Sequence, residues 1–264
     1  MKMKNIKKVI LIILIIISFI KFTYTYYNIS LMGTLFILFF SYLCWPKTWL
    51  DYLGFKIDIR TVVVFFILLI FVASSSYFII KYISFVKDID FLTIFKFDLA
   101  FLQTIGQTLN EEIIFGGLIL LSLKRFFSGK HSSVISMVIA VIFSVFHLLF
   151  FHICSEANRG NLLFLTLFNL FIFRLITNNM IIYTNHIFYA WAIHFGWNVV
   201  FLRNVIQTGF NEPKLFNTFI GSKIMLLFLL LLLLFSFFII YYTKNSKGVP
   251  DSNRRSSGQK EKKI

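Results

Sequence analysis

Apolar runs of membrane-spanning length recur along this chain, and that repetition restricts the fold more than any other feature. A helix crossing a bilayer needs roughly 20 apolar residues, and lipid requires every backbone polar group to be bonded within the segment. Eight runs meet the requirement, at about 6–26, 29–46, 61–83, 97–123, 132–153, 161–177, 179–202 and 219–242. The 264 residues are 58% hydrophobic and 19% aromatic, with only three prolines to interrupt them. The expected fold is all-α: a polytopic membrane bundle of about eight helices, forming one domain over 1–243. The apolar run after Lys8 looks like a signal peptide, yet no small-residue cleavage site follows, so it is read as the first helix.

A net charge of +15 raises the question of nucleic acid. The cations sit between apolar runs and at the C-terminal end, where membrane topology accounts for them, so no nucleic-acid partner is expected. One side of the layout collects Lys2, Lys4, Lys7, Lys8, Lys47, Lys56, Arg60, Lys124, Arg125, Lys130 and Arg174. With seven cations from the final segment it holds 18 of the 26 Lys and Arg. Both termini are therefore expected at the cytoplasmic face of a cell membrane. Residues 244–264 mix Ser, Gly, Asn and charge, and read as a basic, disordered cytoplasmic tail. Cys44 and Cys154 make neither a disulfide framework nor a zinc-finger spacing. A composition heavy in Lys, Asn, Ile and Phe fits a bacterial source.

Ionisable groups inside three of these runs are the candidate chemistry. A charged carboxylate at mid-bilayer costs about 2.5–3.5 kcal/mol on insertion scales, so such groups persist when paired, hydrated or functional. The fourth run reads Thr108-Leu109-Asn110-Glu111-Glu112-Ile113-Ile114-Phe115-Gly116-Gly117. Neighbouring carboxylates stand roughly 100° apart on a helix and reach the bundle interior together only along one seam. Gln103, Gln107 and Asn110, spaced four and three apart, form a polar stripe that leads to them. The fifth run places Phe143 and His147 one turn apart, and the seventh does the same with His194 and Asn198. Two donors side by side can hold a developing oxyanion, worth about 3–4 kcal/mol each, whereas a mere interhelical clasp contributes about 1 kcal/mol. Counting about 1.5 Å per residue along helices of alternating direction puts Glu111, His147 and His194 in one layer near mid-membrane.

In this order and on these helices, the three stretches resemble the CAAX-protease and bacteriocin-processing family of intramembrane endopeptidases, also called the Abi family. Its signature is Glu-Glu-x-x-x-Arg, then Phe-x-x-x-His, then His-x-x-x-Asn, and the motifs here fall within about 97–202. The resemblance implies a glutamate peptidase without a cofactor. Glu111 and His147 would activate water, His194 and Asn198 would hold the oxyanion, and Glu112 would support them. It also implies a peptide or propeptide substrate met in the lipid bilayer, such as a bacteriocin or signalling precursor; prenylated substrates are not the default in a bacterium. The chain departs from the signature at Gly116, which stands where the family has arginine. Glu112 must then be protonated or paired from elsewhere, and Arg174 is the candidate substitute.

Two rival readings are set against this one. Glu111, His147 and His194 form a two-histidine, one-carboxylate set that a zinc protease could use, although no His-Glu-x-x-His accompanies it. Gly116 also leaves room for a non-enzymatic relative, a bacteriocin immunity or membrane peptide-binding protein.

Overall fold

The computed structural model describes residues 30–55, 57–84, 90–150, 161–208 and 218–245. The expected first span and nearly all of the basic tail lie outside these residues. Among the described residues every regular element is helical. In chain order they are α1 (Ser30–Cys44), α2 (Trp49–Leu53), α3 (Ile59–Ser84), a 3-10 turn (Phe91–Phe95), α4 (Leu99–Glu111), a π-helical segment (Glu112–Leu121) and α5 (Ser122–Phe126). They continue with α6 (Ser132–Phe150), α7 (Asn161–Thr184), α8 (Phe188–Thr208) and α9 (Lys223–Asn245).

Three of these, over Ile59–Tyr82, Leu163–Thr184 and Lys223–Tyr241, are long and apolar enough to cross a membrane by themselves. Leu31–Cys44 and Ser132–His147 are shorter apolar helices. Faces such as Val134, Val138, Val141 and Val145 on α6, or Leu227, Leu231, Leu234 and Phe238 on α9, are exposed. Contiguous apolar surface of that extent is suited to lipid and not to water.

Start signals follow side-chain chemistry. Asp98 accepts the Phe101 N–H at 3.0 Å to open α4, and Asp58 accepts the Thr61 N–H at 2.6 Å where α3 begins. Each satisfies a backbone donor that the first helical turn leaves orphaned.

One boundary falls elsewhere than expected. The polar run Thr177-Asn178-Asn179 reads as the gap between the sixth and seventh spans, but α7 continues through it to Thr184. Its side chains are spent inside the bundle. Thr177 bonds the Arg174 carbonyl at 3.1 Å, Asn178 donates to the Ser136 carbonyl at 3.0 Å, and Ser136 donates to Asn179 Oδ1 at 3.1 Å. The turn comes instead at Asn185, whose φ of 57° is one that asparagine tolerates better than most residues. Arg174, counted above among the cytoplasmic loop cations, is consequently in mid-helix and wholly buried.

The π segment is the hub. All of it except Ile119 is buried, against α2, α6 and α7. Gly117 permits the approach to α2, since a Cβ there would lie 2.8 Å from the Leu53 carbonyl oxygen. Around this hub α8 packs along α3 and α4, and α7 lies between α6 and α9. Two-thirds of the apolar stretch of α7 is buried, against 39% for α3 and α9, so α7 is the interior helix.

Candidate active site

The change from α to π winding falls between Glu111 and Glu112. A π turn widens the helix and rotates the residues beyond it, and such turns recur at functional sites. Here the two adjacent carboxylates go to different surroundings. Glu111, with its side chain 13% exposed, reaches a cavity, while Glu112 is sealed off completely.

Glu112 is held on one oxygen by two neighbours. Arg174 Nη1 and His194 Nδ1 both lie 2.9 Å from Glu112 Oε1. The guanidinium is itself fixed, donating from Nε to Asn178 Oδ1 at 2.9 Å and lying over the rings of Phe115 and Phe143 at 5.5 and 5.2 Å. Glu112 therefore has a cation partner from α7, although the signature position Gly116 supplies none. Gly116 contributes space: a Cβ there would be 2.5 Å from Ile181 Cδ1, 3.5 Å from Arg174 Nη2 and 3.6 Å from Glu112 Oε2.

The same chemistry orients the histidines. His147 Nδ1 donates to the Phe143 carbonyl at 2.9 Å, because a carbonyl can only accept. Glu112, facing a guanidinium, likewise accepts, so His194 Nδ1 is the donor in that contact. Each ring thus turns Nε2 toward Glu111, whose Oε2 lies 3.8 Å from His147 Nε2 and 3.7 Å from His194 Nε2. Glu111 Oε2 has no hydrogen-bond partner among the described residues. Phe143 and Phe173 lie against the imidazoles, with ring centroids 4.3 Å from His147 and 5.2 Å from His194.

These groups border one cavity of about 50 Å³, lined by Glu111, His147, His194 and Asn198 together with Gln107. It has room for about one or two waters. Of the stripe on α4, Gln107 is in the lining, whereas Gln103 and Asn110 are not. Sequence reasoning passed over the aromatic wall, in which Trp197 and Phe201 continue the His194–Asn198 face of α8 at helical spacing. That periodicity was the available signal.

A zinc bound here would need its ligand atoms drawn closer together. Ligand atoms on a tetrahedral zinc, about 2.0–2.1 Å from the metal, stand about 3.3 Å apart. The distances from Glu111 Oε2 to the two Nε2 atoms are wider. Among the described residues no group of three His, Cys, Asp or Glu side chains is disposed to hold a metal ion.

Comparison with known protein families gives a match to part of the chain. Residues 93–200 fit the family model described as type II CAAX prenyl endopeptidase Rce1-like. No curated protein and no solved structure matches the chain. The matched stretch begins just before α4 and ends just past Asn198, so it contains both glutamates, both histidines and the asparagine. With its apolar helices this makes the chain a multi-pass membrane protein whose residues 93–200 are similar to the Rce1-like CAAX endopeptidase family.

Proposed function

We propose that the protein is an intramembrane endopeptidase that hydrolyses a peptide bond of a membrane-associated peptide or propeptide, using water activated by Glu111 and His147. The observation carrying this reading is the gap between Glu111 Oε2 and the two Nε2 atoms, 3.8 and 3.7 Å, in a cavity of about 50 Å³. Those separations are too long for direct hydrogen bonds and suit one bridging water. The water oxygen bonds to the substrate carbonyl carbon while its proton passes to Glu111 or His147. That proton then goes to the departing amine as the C–N bond breaks. Asn198 and His194 Nε2 face the carbonyl oxygen as it gains charge. The ring at 194 has a carboxylate on each side, Glu111 and Glu112.

The non-enzymatic reading drew its force from the missing arginine at 116. The guanidinium of Arg174 on Glu112 supports the enzymatic reading over that one. A bacteriocin or signalling precursor in a bacterial membrane is the substrate class this reading favours.

The test compares peptides released in membranes of cells carrying the wild type, Glu111→Gln or His147→Ala. Each substitution is expected to lower cleavage at least ~1000-fold, as loss of a water-activating group does, while leaving protein level unchanged. Normal processing by both variants would sink the peptidase reading. Cleavage that falls with chelation and returns with stoichiometric zinc would replace the metal-free scheme by the zinc one.

A further inference from the structure

The arginine that the family signature carries four residues after its second glutamate is absent here, yet the space around that position is organised around a guanidinium. We infer that Arg174, reaching from α7 into the room left by Gly116, is the positioning residue of this site: through Glu112 it fixes His194 with Nδ1–H engaged and Nε2 turned to the cavity. The inference rests on the peptidase reading for its functional meaning, though not for its geometry.

Four observations meet at this point. Arg174 is the largest fully buried side chain in the described structure, a costly placement for a permanent cation unless its partners are fixed. It has a partner on each side, Glu112 Oε1 and Asn178 Oδ1, both at 2.9 Å, with the rings of Phe115 and Phe143 over its plane. Asn178 is anchored in turn to the Ser136 carbonyl on α6, so the guanidinium is braced by a second helix. Glu112 Oε1, the atom that takes the arginine, is also the atom that takes His194 Nδ1. Arg174 does not itself line the cavity; it reaches the reacting groups through its neighbours, above all Glu112 and His194, and it also lies against the lining residue Phe143.

Gly116 and Arg174 are accordingly two halves of one exchange. A side chain at 116 would begin 3.6 Å from Glu112 Oε2 and 3.5 Å from Arg174 Nη2, so an arginine there would start beside both the carboxylate and the guanidinium it would replace. Only Ile181 Cδ1 obstructs the first carbon, and Ile181→Val removes that methyl.

The experiment moves the guanidinium. Full-length protein with ¹⁵N-labelled histidine is placed in lipid bilayers, and the His194 ring nitrogens are assigned by their loss in His194→Gln. Wild type is expected to show a protonated Nδ1 in a strong hydrogen bond. Arg174→Gln is expected to lose that signature and to cleave membrane peptides ~100-fold more slowly, the scale on which orienting partners act. Gly116→Arg with Ile181→Val and Arg174→Gln is expected to recover the signature and at least a tenth of the lost rate. A His194 spectrum unchanged in Arg174→Gln would overturn the inference. Should that variant prove too unstable to purify, the relocated-arginine variant decides alone. It must fold and show the wild-type His194 signals, and failure on either count overturns the proposal. If the spectra behave as expected but no variant, wild type included, cleaves any peptide, the positioning stands and the peptidase reading falls.

Discussion

Two arginine–carboxylate pairs tie this bundle together, and they differ in nearly everything except chemistry. At the centre, Arg174 and Glu112 are both wholly buried and share their charge with His194. Near the start of α4, Arg203 grips both oxygens of Asp98 and also bonds the Ile94 and Lys96 carbonyls, with the Asp98 side chain 36% exposed. The outer clasp joins the first turn of α4 to α8, so it fixes how the helices carrying Glu111 and His194 lie against each other. The inner pair fixes which way one imidazole faces. Distance from water decides the division of labour: a dry pair holds a single atom in place, while a wet one can only hold a helix end.

Breaking the inner pair should produce the largest effect. Arg174→Met leaves a carboxylate buried without its cation and is expected to destabilise the folded protein by about 3–5 kcal/mol, measured by unfolding in mixed detergent. Adding Glu112→Gln should return much of that stability but no activity; if activity returned as well, the pair would be mere packing. The outer clasp sharpens the contrast at smaller scale. Asp98→Asn is expected to cost about 1 kcal/mol or less and to leave the His194 spectrum untouched.

The smallest effect belongs to Asp58, a helix-start carboxylate just ahead of α3 that forms no ion pair of the kind seen at Asp98 among the described residues. The hydrogen bond from the Thr61 backbone N–H holds its carboxyl below the usual aspartate range. A group lowered in the folded state contributes stability above its unfolded pKa and loses it as pH falls through the folded one. Stability should therefore decline slightly below about pH 4, and Asp58→Asn should flatten that decline.

Much of this arrangement could be read from residue order. Apolar run length marks the helices, and helical spacing pairs Phe143 with His147 and His194 with Asn198. The change to π winding after Glu111 could not be read, because Ile113 to Leu121 has the composition of any buried helix. Arg174 was legible in two competing ways, as a loop cation in the charge count and as a stand-in for the signature arginine. Thr177-Asn178-Asn179 tipped the helix boundary wrongly, since polar residues mark a loop in water but act as glue between helices in lipid. Local pattern cannot separate those cases when the partner, Ser136, is some forty residues away.

The chamber beside Glu111, about 50 Å³, has a consequence for turnover. An extended backbone with its side chains would not fit in that volume unless the walls moved. On the proposed peptidase function, the walls contributed by α4, α6 and α8 would part before a peptide bond could reach Glu111, and that breathing would set the pace of turnover, favouring substrates whose own helices are already unravelled.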